Sequence, residues 1–561
     1  MTRSKIFIIV LMIASGASIQ GQSITLGSPV VENYLRRQQL LGRFDSTLSF
    51  NYRPLVFSKN GLKADSSVFD VDEYFGPTFK SKNGKSFFRL LPAELRIGYD
   101  LRHPDSRNDG AMIRSRGLQT YLSAGFYAES GILSIQFKPE FVWAQNRDYL
   151  GFPPPSLHFE TTWQTRYLWF NTIDQPERYG LDSYSVFTWG QTSIRLNKWG
   201  LSLGLSTENI WWGPAIRNSI MMSNNAEGFP HLTLNTQRPI KTAVGSIEGQ
   251  LITARLEGSG YNPPLDQTPF RGQIAFVPRP DDWRYFQGLS FSYSPKWIKG
   301  LSLGFTRWVQ QYSETASATN DYFPVFSNFF RKNDNNVTRS EIERDQAAGL
   351  FGRWLWTDTN AELYFEFAKN DASVNLRDLL VDTDHSRALT VGINKLFSTD
   401  KADEFWQFNF EWTQTSQTES RLLRNASSWY IHSRVRHGFT HNGEILGSAL
   451  GPGGNAQYLE VSWLKGFSRI GGALERYVHN NDFAVAAFPD DFTRYWVDYN
   501  IHGFWELRYN NMFISASLFF TNSLNYQWQV RMDPNDPTRF PDTPGVDRTN
   551  WNLDIKVSYT F

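Results

Sequence analysis

The 561-residue chain contains no cysteine. This absence excludes disulfide bonds, thiolate metal ligands and thiol redox chemistry, and it also excludes a lipid anchor attached through cysteine. We therefore expect the fold to be held together by strand pairing and side-chain packing.

The chain also has little net charge and no long apolar run beyond its first residues. Its 56 basic and 55 acidic residues leave a formal net charge of +1, so nothing favours nucleic acid as a partner or a general attraction to anionic surfaces. Mean hydropathy is −0.43, and no segment after Ala14 is long and apolar enough for a transmembrane helix. Any charge selectivity has to come from local groups.

The first 22 residues have the pattern of a secretory signal peptide. Arg3 and Lys5 precede nine apolar residues, Ile6–Ala14, and a run of small and polar residues follows up to Gln22. Nine apolar residues are too few to span a bilayer as a helix. We predict that residues 1–22 are cleaved and that the mature protein leaves the cytoplasm.

Aromatic residues are abundant, with 44 Phe, 24 Tyr and 20 Trp. The last segment, Trp551–Phe561, alternates without error between apolar and polar residues. Successive side chains of a strand point to opposite faces, and about ten residues cross a bilayer at a tilt. A closing strand of this kind that ends on an aromatic residue is typical of the outer-membrane β-barrels of Gram-negative bacteria.

The same alternation recurs from about residue 86 onward. In Trp406–Thr413 the aromatic side chains share one face, and in Val497–Tyr509 the second face carries charges that imply a water-filled lumen. Roughly eighteen such segments can be counted, an even number within the range of single-chain barrels. We predict an all-β fold, a transmembrane antiparallel β-barrel over residues 86–561 in outer-membrane lipid. A soluble β-sandwich or propeller is the alternative, but the apolar faces recur without a domain-sized break.

Bacterial barrels place both termini in the periplasm and their long connections outside the cell. The polar run Met532–Asn550, rich in Pro and Asp, is predicted to be such a loop. The other long loops are predicted at residues 213–240, 259–285, 313–345 and 437–456. Loops of this size usually carry function or fold into the lumen.

Residues 23–85 differ from the rest because they contain a helical pattern. Val30, Tyr34 and Leu41 lie near helical spacing within Pro29–Gly42, and the final glycine is a stop signal. We predict one helix on the periplasmic side, in a segment that precedes the barrel. Two interpretations stay open: the segment is a plug or docking element, or it is a leader packed on the barrel rim.

The densest polar and aromatic cluster of the chain is Gly204–Asn225. Together with Leu91–Tyr99, Asn108–Ile113, Arg116–Thr120 and Trp189–Gln191, it resembles the Wzi family of capsule assembly proteins. The resemblance is strongest over about residues 90–260, and beyond that range it rests mainly on barrel pattern and length.

The resemblance implies an outer-membrane β-barrel that acts as a lectin-like anchor for capsular polysaccharide and is distinct from the export channel. Contact with the capsule export machinery stays open. Sugars stack on aromatic rings while amides, carboxylates and Arg bind their hydroxyls, and Arg can also pair with an acidic sugar. The candidate ligand-binding residues are Glu208, Asn209, Trp211, Trp212, Arg217, Asn218, Asn224 and Asn225.

These candidates also have a structural interpretation, which we favour for most of the cluster. Trp211 and Trp212 are adjacent, so on a wall strand one of them would face lipid as a girdle residue. Arg217 and Glu208 are expected to form a salt bridge that braces an inward-folded loop. Asn108-Asp109-Gly110 has the composition of a tight hairpin.

No catalytic residue, metal or cofactor is predicted. The chain has no Gly-x-Ser-x-Gly motif. The histidines of Asp382–His385 and His437–His441 are interpreted as solvated loop residues, because no His-Glu-x-x-His helix accompanies them. Two functions remain in contention: a sugar-binding anchor with a blocked lumen, and an outer-membrane porin or substrate-specific diffusion channel with an open one.

Overall fold

The computed structural model describes residues 22–57, 74–105, 107–152, 160–264, 266–270, 272–316, 322–327, 343–370, 376–422, 426–489, 494–529 and 545–561. Nearly all of the predicted signal peptide and much of the predicted last loop lie outside the described residues, so those two predictions stay predictions. No described helix is long and apolar enough to cross a membrane.

Eighteen antiparallel strands close into one barrel, which confirms the predicted fold class. Each strand pairs with its neighbour in the chain, and the last pairs with the first. Three strands are interrupted and consist of two segments. The strands are β1 Ser86–Asp100, β2 Gly117–Ser130, β3 Leu133–Phe137 with Glu140–Ala144, β4 Tyr184–Thr188 with Ser193–Lys198, β5 Leu201–Ser206, β6 His231–Thr236 with Ile240–Lys241, β7 Gly245–Leu256, β8 Arg284–Pro295, β9 Leu301–Tyr312, β10 Asp345–Trp356, β11 Ala361–Lys369, β12 Arg387–Ser398, β13 Glu404–Gln414, β14 Asn455–Lys465, β15 Ser468–His479, β16 Trp496–Tyr509, β17 Met512–Leu524 and β18 Arg548–Tyr559.

The remaining described elements are short. The helices are α1 Pro29–Leu40, α2 Glu160–Phe170, α3 Leu376–Val381 and α4 Asn481–Ala487. Single 3-10 turns occur at Ser313–Thr315, Pro324–Phe326, Thr357–Thr359, Glu419–Leu422 and Tyr526–Trp528. The short strands are Gln22–Ile24, Tyr52–Arg53, Leu55–Phe57, Thr78–Lys80, Trp211–Trp212, Pro269–Phe270, Gln273–Ile274, Thr440–His441 and Glu444–Ile445.

Burial alternates along the wall strands with the predicted period of two. In β18, Trp551 and Leu553 are exposed on the outer face, whereas Asn552 and Lys556 are buried on the inner face. The outward side chains form the apolar belt that lipid requires, and the inward ones are mostly polar.

The seam between β18 and β1 runs from the pair Asn552 and Asp100 to the pair Tyr559 and Ala93. Lys556 of β18 crosses this seam, because its Nζ lies 2.9 Å from Oε2 of Glu94 on β1. The same Nζ donates a hydrogen bond of 2.6 Å to the carbonyl oxygen of Gly27, which belongs to the N-terminal segment. Lys556 therefore links the two strands of the seam to each other and to the N-terminal segment.

All long connections lie at one end of the barrel, and short turns join the strands at the other. We number the long connections loop 1 (101–116), loop 2 (145–183), loop 3 (207–230), loop 4 (257–283), loop 5 (313–344), loop 6 (370–386), loop 7 (415–454), loop 8 (480–495) and loop 9 (525–547). The predicted loop at 213–240 is wrong at its end because β6 begins at His231, and the one at 437–456 is too short because loop 7 follows directly on Gln414.

The N-terminal segment, residues 22–57, lies inside the barrel. Its helix α1 starts at Pro29, where the missing N–H costs nothing, and ends at Leu40, so the predicted helix is confirmed. Gln22–Ile24 pairs with Leu55–Phe57 to form a small antiparallel sheet. The segment fills the lumen near the short-turn end.

Ion pairs attach α1 to the barrel wall. Nε of Arg36 lies 2.8 Å from Glu362 on β11, and Nη2 of Arg353 on β10 lies 2.5 Å from the other oxygen of the same carboxylate. All three side chains are buried. Asn33 of α1 also donates a hydrogen bond of 3.1 Å to Glu506 on β16. Glu362 thus holds the helix through a carboxylate shared by two guanidinium groups.

Apolar clusters occupy much of the described lumen between these polar contacts. The largest joins loop 3, loop 7 and the walls β7–β12, and its indole rings at Trp212, Trp308 and Trp429 are fully buried. A second cluster packs Leu35 of α1 against Phe513 of β17. These clusters fill the lumen beside β7–β12 and around α1, whereas cavities of about 330 and 240 Å³ lie beside β1 and β15–β18.

The shared carboxylate gives a stability test. Glu362→Ala leaves Arg36 and Arg353 buried without their counter-charge, so we expect the free energy of unfolding to fall by about 3–5 kcal/mol. Arg43→Ala is the matched control, because the pair of Arg43 with Asp403 is exposed and should contribute little. Denaturant unfolding of the barrel in detergent would measure both, and equal losses would contradict the assigned role of Glu362.

Candidate functional site

Loop 3, which carries the predicted ligand-binding cluster, folds into the lumen. Its strand Trp211–Trp212 pairs with Tyr52–Arg53 of the N-terminal segment rather than with a wall strand. Both tryptophans are buried, with Trp211 3% and Trp212 0% exposed. The prediction that one of them faces lipid is therefore wrong, because neighbouring residues alternate between lipid and lumen only on a wall strand.

The two tryptophans have different surroundings. The indole Nε1 of Trp212 donates a hydrogen bond of 2.8 Å to Gln250 of β7, and its ring belongs to the largest apolar cluster. The ring of Trp211 lies under the guanidinium group of Arg53, 4.0 Å from the ring centroid. Trp212 is a core residue, whereas Trp211 forms a cation–π pair with the N-terminal segment.

Two wall carboxylates hold the backbone of loop 3. Glu411 of β13 accepts hydrogen bonds from the backbone N–H groups of Ile216, Arg217 and Asn218 at 2.9, 3.1 and 2.7 Å. Glu366 of β11 accepts from those of Ala215 and Ile220 at 3.1 and 2.8 Å. Five consecutive or nearly consecutive N–H groups are thereby satisfied without water.

Gly213 allows the backbone of loop 3 to come close to Glu366 on the wall. Its φ of +107° lies in the region that favours glycine, and a Cβ at this position would collide with the carboxylate of Glu366. Gly213 thus allows the backbone of loop 3 to lie against the wall.

Glu208 and Arg217 do not pair with each other. Glu208 accepts from Arg195 Nη2 at 2.5 Å and from Ser23 Oγ at 2.6 Å, whereas Arg217 binds Glu475 of β15. The predicted salt bridge between Glu208 and Arg217 is wrong. Each side chain binds a partner on another element, and such contacts between distant parts of the chain cannot be predicted from the local sequence.

Arg217 forms part of a buried ion network. Its Nε and Nη2 donate to the two oxygens of Glu475 at 3.0 and 3.3 Å, and Arg107 of loop 1 binds the same carboxylate. The guanidinium group also lies 4.4 Å from the ring centroid of Tyr458. Nε and Nη2 of Arg217 are thus bonded to protein and are not available to a ligand.

The asparagines of the cluster connect loop 3 to its neighbours. Asn209 Nδ2 donates to Asn224 Oδ1 at 2.8 Å, and Asn224 Nδ2 donates to the carbonyl oxygen of Asn108 at 2.9 Å. Asn225 Nδ2 likewise donates to the carbonyl oxygen of Ile445 at 3.0 Å, whereas Asn218 is bound to Glu411 through its backbone N–H.

The predicted tight hairpin at Asn108-Asp109-Gly110 is not formed. These residues belong to loop 1, which runs from residue 101 to residue 116. The backbone N–H of Gly110 donates to the carbonyl oxygen of Asn224 at 2.8 Å, and Asn108 Nδ2 donates to that of Arg217. The segment therefore docks loop 1 onto loop 3.

Half of the candidates line an internal cavity of about 330 Å³ between α1 and loop 3. These are Asn209, Trp211, Arg217 and Asn224; Glu208, Trp212, Asn218 and Asn225 do not line it. The structure therefore brings all eight together in one inserted loop, but it does not place them around one binding cavity.

A second cavity, of about 210 Å³, lies among the long loops, and we call it the vestibule. Its lining combines aromatic side chains such as Trp169, Trp496 and Trp528 with charged residues from loops 1 and 2. These residues are not among the candidates predicted from the sequence. They come from segments separated by hundreds of residues, and no local pattern connects them.

The histidines interpreted as solvated, His385, His437 and His441, are all buried. Burial and the nearby Arg284 lower the pKa of His437 to about 2 and that of His441 to about 3. His441 Nδ1 accepts a hydrogen bond of 3.1 Å from the backbone N–H of Glu257. The interpretation of these residues as solvated is wrong. Within the described part of the chain, no group of three or more His, Asp or Glu side chains is placed to hold a metal.

The binding of loop 3 to the wall gives a second test. Glu411→Ala removes the acceptor of three buried N–H groups, so we expect a loss of about 3 kcal/mol or more in the free energy of unfolding. Glu411→Gln is the control, because its carbonyl oxygen still accepts and the loss should be smaller. Hydrogen exchange at residues 215–220 and urea unfolding would measure the effect, and unchanged exchange in Glu411→Ala would refute the assigned role.

The chain is similar in structure to several solved proteins. Escherichia coli Wzi, an outer-membrane protein involved in group 1 capsule assembly and a carbohydrate-binding β-barrel, aligns with a TM-score of 0.57 at 14% identity over 97% of this chain and 100% of its own. Pseudomonas putida OprB gives a TM-score of 0.34 at 9% identity over 85% and 94% of the two chains. Acinetobacter baumannii OccAB2 gives 0.38 at 9% identity over 87% and 99%.

No curated protein matches this chain in sequence. The family model of the capsule assembly protein Wzi matches residues 104–523, which is well over half of the chain. The closed barrel with its outward apolar belt agrees with an outer-membrane location. The protein therefore belongs to the Wzi family of capsule assembly proteins.

Proposed function

We propose that this protein is an outer-membrane carbohydrate-binding protein that holds capsular polysaccharide at the cell surface during capsule assembly. Support comes from membership of the Wzi family and from the fold shared with Escherichia coli Wzi, itself a carbohydrate-binding barrel. The role requires binding without bond making or breaking, so no catalytic step is part of the proposal.

The observation that carries this proposal is the filled lumen. A porin needs a continuous water path between its two ends. Here α1 is bound to the wall at Glu362, and loop 3 is bound to it at Glu366 and Glu411. The indole rings of Trp212, Trp308 and Trp429 are fully buried in the cluster that joins loop 3 and loop 7 to the wall. Such an interior favours an anchor over the alternative of a diffusion channel.

In this proposal the eight predicted residues of loop 3 have a structural role. Trp212, Asn218 and Asn225 are buried with protein partners, and Glu208 is bonded to Ser23 and Arg195. Ligand binding by the eight predicted residues stays a prediction. Their hydrogen bonds to protein support a structural role, in which they hold loop 3 in place beneath the outer loops. A polymer at the cell surface would meet those loops first.

Two further partners belong to the proposal. Outer-membrane lipid would surround the apolar belt, as for any barrel of this kind. Capsule export machinery would meet the short-turn end, where the ion pair of Arg43 with Asp403 is exposed.

Conductance separates the anchor from the porin. Purified protein inserted into a planar bilayer is expected to give no large, persistent current, because its lumen is packed. A general diffusion porin in the same bilayer is the positive control. A large, persistent and non-selective current from this protein would refute the blocked lumen.

Glycan binding tests the function itself. The folded barrel in detergent is expected to bind purified capsular polysaccharide of the producing strain, measured by the shift of a labelled glycan. Surface glycan from a capsule-negative strain is the control and should bind much less. Equal binding of both preparations, or binding of neither, would contradict the proposed function.

A further inference from the structure

The vestibule has an aromatic wall that is fixed before any ligand arrives. The rings of Trp496 and His479 are stacked, with centroids 3.6 Å apart and planes 8° apart. Asp498 holds both, because it accepts a hydrogen bond of 2.9 Å from Trp496 Nε1 and lies 2.7 Å from His479 Nε2. Trp169 of α2, which is half-buried, also lines the cavity.

Six buried polar atoms of the lining residues have no hydrogen-bond partner within the described residues: Trp528 Nε1, His103 Nε2, Gln527 Oε1, Arg114 Nε and Nη2, and Arg166 Nε. Two of them, Trp528 Nε1 and His103 Nε2, belong to uncharged aromatic rings. Trp528 is 2% exposed and His103 is 5% exposed, and neither Trp528 Nε1 nor His103 Nε2 has a hydrogen-bond partner within the described residues. A buried donor without a partner costs about 1–3 kcal/mol. Hydroxyl groups can both donate and accept, so they suit both atoms.

Burial keeps His103 uncharged. It lowers the pKa of this loop 1 histidine below its ordinary value, so the imidazole is neutral at physiological pH. Its ring nitrogen can then either donate to a ligand hydroxyl or accept from one.

The cations of the lining are already paired with carboxylates. Arg107 Nε lies 3.3 Å from Asp105, and the same guanidinium group binds Glu475. Arg114 Nε lies 3.3 Å from Glu444, and Arg166 binds Glu177. The described lining of the vestibule therefore offers flat aromatic surface and hydroxyl-binding atoms, and each of its three guanidinium groups, on Arg107, Arg114 and Arg166, has a carboxylate as counter-charge.

We infer that the vestibule binds uncharged sugar rings within the glycan, with the apolar face of a ring against the aromatic wall and its hydroxyls on Trp528 and His103. Aromatic residues favour this contact because they combine a large apolar face with little conformational entropy to lose. The inference rests on the proposed function and names its binding site and ligand class.

The first test removes one ring of the wall. Trp496→Ala is expected to weaken the binding of labelled, depolymerised capsular polysaccharide about tenfold, and Trp496→Phe should recover part of the loss. Trp505→Ala is the matched control, because this tryptophan lies on the same strand but faces outward, and binding should stay at the wild-type level. Heat-modifiable gel mobility would verify folding, and Trp169→Ala on α2 provides the same test should Trp496→Ala fail to fold.

The outcomes distinguish the site from the function. Wild-type affinity in folded Trp496→Ala or Trp169→Ala would overturn the vestibule site, while the proposed function would stand on wild-type binding. Absence of binding by the wild-type protein would instead overturn the proposed function, and the site with it.

The second test addresses the charge of the ligand. Raising NaCl from about 0.1 M to about 1 M shortens the screening length from about 10 Å to about 3 Å. Binding of uncharged rings is expected to change little over this range, and carboxyl-reduced polysaccharide should bind as well as the native polymer. A strong loss in either experiment would show that acidic sugars are recognised and would overturn the inferred ligand class.

Discussion

The structure depends on one constraint: polar groups that face the inside of a filled barrel must be satisfied by protein. The wall strands point carboxylates inward, and several of these bind an inserted segment. Glu362 binds Arg36 of α1, Glu411 and Glu366 bind the backbone of loop 3, and Glu475 joins Arg217 to Arg107. An unpaired charge in such surroundings is costly. The positions of the wall carboxylates therefore fix where α1 and loop 3 lie in the lumen.

This constraint separates two regions of the molecule. In the inner region, the carboxylates of Glu362, Glu366 and Glu411 bind α1 and loop 3. The outer region at the long loops keeps aromatic surface and some polar atoms without protein partners in the described residues, including Trp528 Nε1 and His103 Nε2. A rigid interior of this kind supports the loops that a surface polymer would contact, as expected when binding residues are carried by loops on a stable scaffold.

Features that depend on neighbours in the chain could be predicted from the sequence. The alternation in Trp551–Phe561 and the helical spacing after Pro29 are local, and the strand count, the lipid-facing side and α1 all follow from them. The surroundings of Trp211 and Glu208 could not be predicted, because their partners Arg53 and Arg195 lie on other elements and pair only after the fold has formed. The vestibule escaped prediction for the same reason, since its rings come from four different parts of the chain.

The contact of Lys556 with both Glu94 and Gly27 links the closure of the barrel to its contents. One ammonium group joins the first strand, the last strand and the N-terminal segment, although this last strand is made at the very end of the chain. A wall that closed around an empty lumen would leave Glu94 without Thr25 and Glu362 without Arg36. We therefore expect that, during assembly in the membrane, the N-terminal segment enters the lumen before β18 pairs with β1. The final seam would then form around this segment.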